Sequence, residues 1–336
     1  MIESMQNQLI GFLRISLLGI ACMCCSGCSG NKMNNDSTGF TITRFDTDLY
    51  RYLTKKEPDS VLKNHTDFLN ILGAGILEIG KTDSTGFYSR LKAYFSDSTL
   101  MRIYKDEQEK FADIADINKE LSKGLSGFLL QFPQVKLPKV YMHVSGFSQN
   151  VVVTDSILSL SADKYLGANY PLYQNYFYDY QRQQMSLDRM VLDYLLGFMM
   201  ANLPFKGDED VLLDRMLYEG KLRYILSKLL SDRQDREYVG YDKDQYAWCV
   251  QHESLIWKTI LEKRHLFTAD YLTTNGYLKD APHTASLPDE SPGRVGVWLG
   301  YRIISAYMKQ KPNTNWKDLI ENVDYKEILK QSKYKP

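Results

Sequence analysis

Glu219 is the residue of this chain whose setting most suggests chemistry. It lies in a helical pattern over residues 209–230, on the face where apolar side chains recur every three or four positions. Those apolar residues are Leu212, Met216, Leu222, Leu226 and Leu229. A carboxylate among apolar side chains is unfavourable unless a cation, a metal or hydrogen-bond donors meet it. Two interpretations follow: a structural ion pair with Arg294, Arg302 or Arg189, or a functional carboxylate in a cleft.

Arg294 is a second candidate, because it closes a rigid turn over residues 289–294. The pattern predicts that Ser291 caps the next helix, with Pro292 at its first position. Three glycines then give a face that another element can approach closely. They are Gly293, Gly296 and Gly300. An arginine at the rim of such a face can hold a carboxylate of the protein or of a ligand.

The familiar catalytic motifs give no better site. Residues 75–82 spell G-x-x-x-x-G-K-T, but a helical pattern precedes them and bulky side chains fill the loop, unlike a phosphate-binding loop. The sequence contains no G-x-S-x-G and no H-E-x-x-H. Its histidines are scattered without metal-ligand spacing, at His65, His143, His252, His265 and His283. We therefore predict no catalytic residue of a known type, no metal site, no cofactor and no bound nucleotide.

The first thirty residues resemble a bacterial lipoprotein signal. Arg14 precedes an apolar run over residues 15–25, which is short for a membrane span but suits a signal peptide. Ser26 and Gly27 then lead into Cys28, the order in which lipoproteins are cleaved and acylated. Cys22 is a rival cleavage point, and an uncleaved anchor helix is the alternative. We predict a signal peptide over residues 1–27, lipidation at Cys28 and a flexible polar tether over residues 28–39.

This leader places the body of the protein in the cell envelope, outside the cytoplasm and held to a membrane. No acidic run follows Cys28. Since the leader resembles that of bacterial lipoproteins whose surface export signals are acidic at this point, the resemblance implies an anchor facing the periplasm rather than one exposed at the surface. Lys plus Arg and Asp plus Glu both number 41, so the net charge gives no electrostatic basis for binding nucleic acid. Apart from the predicted lipidation site Cys28, only Cys249 lies beyond the leader, in a helical pattern typical of a packed core thiol.

Residues 40–336 have the patterning of a single globular domain of the α+β class. Alternating apolar residues predict strands over residues 40–45, 140–145 and 151–160. Helical spacing predicts helices over residues 60–77, 87–95, 100–118, 122–132, 174–184, 188–201, 209–230, 242–263 and 295–308. We therefore expect a mostly helical domain with a small, mainly antiparallel sheet.

Several segments carry a family resemblance when taken together. They are the leader with Cys28, the pair Phe45-Asp46, and residues 150–158, 164–167, 170–173, 216–221 and 290–300. In this order they resemble GldB, the gliding-motility-associated lipoprotein of the Bacteroidetes. The resemblance covers nearly the whole chain after the leader. It implies an envelope lipoprotein of the gliding apparatus or, in non-gliding relatives, of another envelope process, and it implies no known reaction.

The GldB family also resembles zinc-dependent peptidases distantly. In those enzymes an H-E-x-x-H helix is followed by a helix that carries a glutamate ligand beside a glycine, as Glu219-Gly220 does here. Residues 192–196 would then take the place of H-E-x-x-H, with Leu192 and Leu196 where both histidines should stand. Aliphatic side chains cannot bind zinc. The resemblance therefore implies a degenerate zincin-like fold without peptidase chemistry.

We expect a lipid-anchored, non-catalytic envelope protein whose partners are the membrane and other envelope proteins. Its cleft is predicted to contain Glu219, Asp193, Tyr218 and Arg294. One alternative is an extracytoplasmic hydrolase in which Glu219 and Asp193 act as paired carboxylates with separated pKa values. The other is a scaffold without a small-molecule site, which would expose an apolar patch to a partner.

Overall fold

A four-stranded sheet lies among many helices, and its strands run in the order β1-β2-β4-β3. The computed structural model describes residues 41–55, 57–148 and 150–336, all within one compact unit. The strands are β1 (Thr43–Arg44), β2 (Lys139–His143), β3 (Val151–Val153) and β4 (Ile157–Ser161). The leader, Cys28 and the tether lie outside the described residues, and Phe40 of the predicted first strand does too.

The sheet is mixed, and the expectation of a mainly antiparallel sheet was wrong. β2 is parallel to both of its neighbours, β1 and β4, and only β3 is antiparallel to β4. The predicted single strand over residues 151–160 is broken by a turn in which Thr154 accepts a hydrogen bond from the Ile157 amide at 3.1 Å. Because of this turn, β4 inserts between β2 and β3 and runs in the same direction as β2.

Helices make up most of the remaining structure, which confirms the α+β class. They are α1 (Phe45–Thr54), α2 (Thr66–Ile71), α3 (Phe87–Tyr94), α4 (Ser98–Lys110), α5 (Ala115–Gln131), α6 (Asp179–Arg182), α7 (Leu187–Asn202), α8 (Leu212–Leu229), α9 (Asp235–Val239), α10 (Lys243–Gln251), α11 (Glu253–Glu262), α12 (Tyr271–Leu278), α13 (Val295–Gln310), α14 (Trp316–Glu321) and α15 (Tyr325–Ser332). No helix in these described ranges combines the length and the apolar character needed to cross a membrane.

Several predicted helices are shorter or divided. The helix predicted over residues 60–77 is a 3-10 segment, Asp59–His65, followed by α2 and a π-helical turn, Leu72–Ile76. The one predicted over residues 242–263 breaks at His252 into α10 and α11. The one predicted over residues 174–184 is reduced to a 3-10 turn, Pro171–Asn175, and the short α6.

α8 is the central helix of the fold, and it packs backbone to backbone against α13. A Cβ atom built on Gly300 would lie 1.9 Å from the carbonyl oxygen of Met216, and one on Gly220 would lie 2.3 Å from the carbonyl oxygen of Gly300. The predicted close approach along the glycine face is therefore confirmed. Side chains are buried all round α8, so the single apolar stripe inferred from its sequence understates its burial.

Gly300→Ala should destabilise the protein by at least about 3 kcal/mol, because the new methyl group meets main-chain atoms that cannot rotate away. Gly276→Ala is the matched control, since nothing lies within 4 Å of a Cβ there and the residue is inside α12. We expect that control to be neutral or stabilising by up to about 1 kcal/mol. Urea unfolding of both variants measures the difference, and equal unfolding midpoints would contradict the backbone contact.

Candidate functional site

Glu219 is held by Arg223, which lies one helical turn further along α8. Arg223 Nη1 donates to Glu219 Oε2 at 2.6 Å, and the side chains of Arg223 and Glu219 are only 7% and 11% exposed. A spacing of four residues brings both side chains to the same part of the helix surface. Glu219 therefore forms a buried ion pair, but with a partner that the sequence interpretation overlooked.

The partners that we had considered for Glu219 are engaged elsewhere. Arg302 forms a fork with both carboxylate oxygens of Glu253, at 2.9 and 3.1 Å. Arg189 pairs with Asp193, and Arg294 pairs with Asp280. None of them forms the predicted ion pair with Glu219, although Arg189 and Arg294 lie in the same electrostatic neighbourhood.

Asp193 has a partner on each carboxylate oxygen. Arg189 Nη2 donates to Oδ1 at 2.8 Å, and the Tyr165 hydroxyl donates to Oδ2 at 2.8 Å. Arg189 also reaches α9, where its Nη1 donates to the Glu237 carbonyl at 2.5 Å. Burial raises the pKa of Tyr165 far above its usual value, and the Asp193 charge adds to this, so the tyrosine keeps its proton for Asp193.

Arg294 lies at the N-terminal end of α13 in the left-handed region, with φ of 62°. Ser291 does not cap this helix as predicted: its Oγ accepts from the Thr284 amide at 3.2 Å, and the helix begins only at Val295. The Arg294 Nη1 atom lies 3.3 Å from Asp280 Oδ1. In the part of the chain that the structure describes, the guanidinium donates no hydrogen bond. Its side chain is nevertheless only 14% exposed.

Gly240 marks the point at which two of these arginines converge. It ends α9 with φ of 77°, a conformation that glycine adopts without strain. A Cβ atom built there would lie 3.2 Å from Arg294 Nη1 and 3.5 Å from Arg189 Nη1. A side chain at this position would therefore keep the two guanidinium groups apart.

Arg189, Arg223 and Arg294 form what we call the arginine cluster. Burial is the largest influence on Arg223 and lowers its pKa; Glu219 opposes this effect, while Arg294 and Arg189 add to it. Burial lowers the pKa of Arg294, but the negative charges around it, which include Glu219 and Asp193, raise it overall. The structure thus brings together three residues of the predicted cleft, Glu219, Asp193 and Arg294.

Tyr218, the fourth predicted cleft residue, does not join the arginine cluster. Its hydroxyl donates to the Leu203 carbonyl at 2.9 Å, and its ring packs against Phe205 with centroids 5.2 Å apart. Arg223 could have been found from sequence, because it follows Glu219 by one helical turn. Tyr165 and Gly240 could not be assigned to the site from the sequence, because both lie far from Glu219 along the chain.

The donor atoms that zinc requires are missing from the place where the peptidase resemblance would put them. Leu192 and Leu196 lie in the hydrophobic core, 0% and 6% exposed. Within residues 41–55, 57–148 and 150–336, no three His, Cys, Asp or Glu side chains are grouped to hold a metal ion. These residues do not fit a zinc site.

The phosphate-loop pattern also lacks the structure that it would need. No strand leads into residues 75–82; a π-helical turn, Leu72–Ile76, precedes them. Thr82, the residue that would face a magnesium ion, donates to Asn70 from both its amide and its hydroxyl, each at 2.8 Å. The segment is a local turn bonded to the preceding helix.

His143 and Cys249 have surroundings typical of structural residues. His143 Nδ1 lies 2.7 Å from Ser159 Oγ on the neighbouring strand, and its complete burial lowers its pKa to about 3. Cys249 is fully buried, as expected for a packed core thiol, and burial raises its pKa to about 12. Neither side chain is poised for nucleophilic chemistry at neutral pH.

The fold and the site define an α+β protein with a mixed sheet and a buried cluster of arginines and carboxylates. The sequence profile of one family, described as "Gliding motility protein GldB", matches residues 29–336. The chain belongs to this family. No curated protein and no solved structure gives a significant match. The distant likeness to zinc peptidases stays a prediction.

Arg223→Met should cost about 3–5 kcal/mol of stability, because it leaves the Glu219 carboxylate buried without its partner. The double variant with Glu219→Leu should recover most of this loss, since both charges are then gone. Lys258→Met is the matched control, because Lys258 and Glu262 have the same spacing but are 71% and 66% exposed; we expect a change within about 0.5 kcal/mol. Urea unfolding measures the wild type, Arg223→Met, Glu219→Leu, the double variant and the control. A loss in the double variant equal to the sum of the two single losses would refute the ion pair.

The lowered pKa of buried His143 predicts that the protein loses stability in acid. The unfolded chain binds a proton on this residue near pH 6.5, whereas the folded chain resists protonation down to about pH 3. Its contribution is therefore complete above pH 6.5 and declines as the pH falls through that window, by about 1.4 kcal/mol per pH unit. His143→Gln should flatten the curve of unfolding free energy between pH 6 and pH 4. A measurement at pH 8 isolates the packing cost, and parallel curves would contradict the prediction.

Proposed function

We propose that this protein is a lipid-anchored, non-catalytic binding or assembly component of the gliding or cell-envelope machinery, facing the periplasm. The observation that carries the proposal is the family match over residues 29–336. Cys28, at the end of the lipoprotein-like leader, immediately precedes the matched region. A lipid on this cysteine would attach the folded body to the membrane through the tether over residues 28–39.

The arrangement of the carboxylates supports a non-catalytic role. A carboxyl group that acts as acid or base needs an oxygen within hydrogen-bond reach of the substrate. Both Asp193 oxygens already accept hydrogen bonds, and Glu219 is bound to Arg223. Each carboxylate thus has its own arginine, which favours a fixed electrostatic framework over a pair that exchanges protons. The same framework suits a site that recognises a charged group.

Cys28→Ser should abolish fatty-acid labelling and release the protein from the membrane fraction of the native organism. Cys22→Ser is the matched control, because Cys22 is the rival acylation position and its loss should change neither property. In a strain that lacks the wild-type gene, Cys28→Ser should also fail to restore gliding or the corresponding envelope phenotype. Labelling that persists in Cys28→Ser, or that disappears in Cys22→Ser, would refute the assigned anchor.

The same strain separates binding from catalysis. Glu219→Gln and Asp193→Asn each remove a candidate acid or base while keeping the shape of the side chain. A variant that folds, as judged by its unfolding transition, should restore the phenotype if the protein is not an enzyme. Loss of function in both folded variants, together with loss of a hydrolytic activity that the wild-type protein shows on envelope substrates, would favour the paired-carboxylate hydrolase instead.

A further inference from the structure

We propose that the arginine cluster binds a carboxylate group, which enters beside Arg294 and takes the place of the Asp280 side chain. This inference rests on the proposed function, because it names the chemical class of ligand that the non-catalytic site would recognise. The argument comes from unused hydrogen-bond donors, from the balance of charge and from the exposure of Asp280.

The arginine cluster has more donors than the protein uses. A guanidinium group carries five N–H donors. Among the described residues, Arg294 donates no hydrogen bond from its side chain, and the Nε atoms of Arg189 and Arg223 are buried without partners. Buried donors without acceptors are unfavourable and uncommon in folded proteins. Two such donors, Arg189 Nε and Arg223 Nε, together with an Arg294 guanidinium that donates no hydrogen bond among the described residues, point to an acceptor that comes from outside the chain.

The charges of the arginine cluster balance only while Asp280 pairs with Arg294. Glu219 and Asp193 neutralise two of the three arginines and make close hydrogen bonds with Arg223 and Arg189. Arg294 depends on Asp280, at 3.3 Å and without a hydrogen bond. The Asp280 side chain is 44% exposed, compared with 22% for Asp193 and 11% for Glu219. Asp280 is therefore the carboxylate that a ligand can displace at the least cost.

The same balance favours a carboxylate over a phosphate. Without Asp280, three arginines face two fixed carboxylates, so a single negative charge completes the balance. A phosphate group carries more charge and would be repelled more strongly by Glu219 and Asp193. The planar fork of a guanidinium also matches the two oxygens of a carboxylate. Asp280 already shows that a carboxylate can reach Arg294.

The test is calorimetric titration of the purified, lipidated protein in detergent at constant ionic strength. The probes are acetate, acetyl-Gly-Gly with a free carboxylate, the same peptide as its C-terminal amide, and inorganic phosphate. We expect binding of a free carboxylate and none of the amide. Binding of acetate as tightly as of the peptide would identify a small carboxylate as sufficient, whereas binding of the peptide alone would identify a peptide C-terminus. Tighter binding of phosphate, or equal binding of the amide, would overturn the proposal.

Two variants shift the affinity in opposite directions. Arg294→Lys keeps the charge but loses the fork, and should weaken binding at least tenfold. Asp280→Asn removes the internal competitor and should strengthen binding severalfold, which keeps the proposal falsifiable if Arg294→Lys does not fold. Arg302→Lys is the control, since Arg302 lies on the same helix but pairs with Glu253; its affinity should equal that of the wild type. Wild-type protein that binds no carboxylate overturns this inference alone, because membrane attachment and phenotype test the proposed function separately.

Discussion

The backbone contact between α8 and α13 is the constraint on which the rest of the structure depends. Gly220 and Gly300 allow the two helices to approach until main-chain atoms touch, so α8 is buried along most of its length. Glu219 precedes Gly220 directly and is therefore carried into the interior with it. A charged residue in that position must have a cation nearby, and Arg223 supplies one from the same helix.

The charged groups around the arginine cluster come from three helices. α7 contributes Arg189 and Asp193, α8 contributes Glu219 and Arg223, and Arg294 stands at the start of α13. The Arg189–Asp193 and Arg223–Glu219 ion pairs each lie within one helix, so they do not depend on how α7 and α8 sit against each other. The hydrogen bond from Arg189 to the Glu237 carbonyl is what ties α7 to α9.

The sequence predicted the close helix contact, but not the direction of the strands, the Ser291 contact or the Arg223 ion pair. The glycines after residue 292 indicated a close helix contact, because a missing Cβ has few other uses inside a helix. The direction of the sheet could not be inferred, since a turn at Thr154 divides what looks like one strand. The prediction that Ser291 caps α13 was wrong, because its hydroxyl instead accepts a hydrogen bond from the amide of Thr284. Arg223 was overlooked although its spacing from Glu219 was visible.

The kind of cation beside Glu219 limits what the site can do. Leu192 and Leu196 are aliphatic core residues, and they lie on the same side of α7 as Arg189 and Asp193, which form an ion pair. The α7 positions next to these charges therefore carry no donor atoms for a metal. The charges of Glu219 and Asp193 are instead neutralised by guanidinium groups, which keep their protons and hold anions through directed hydrogen bonds. The carboxylates of the cluster are therefore held in fixed positions by arginines.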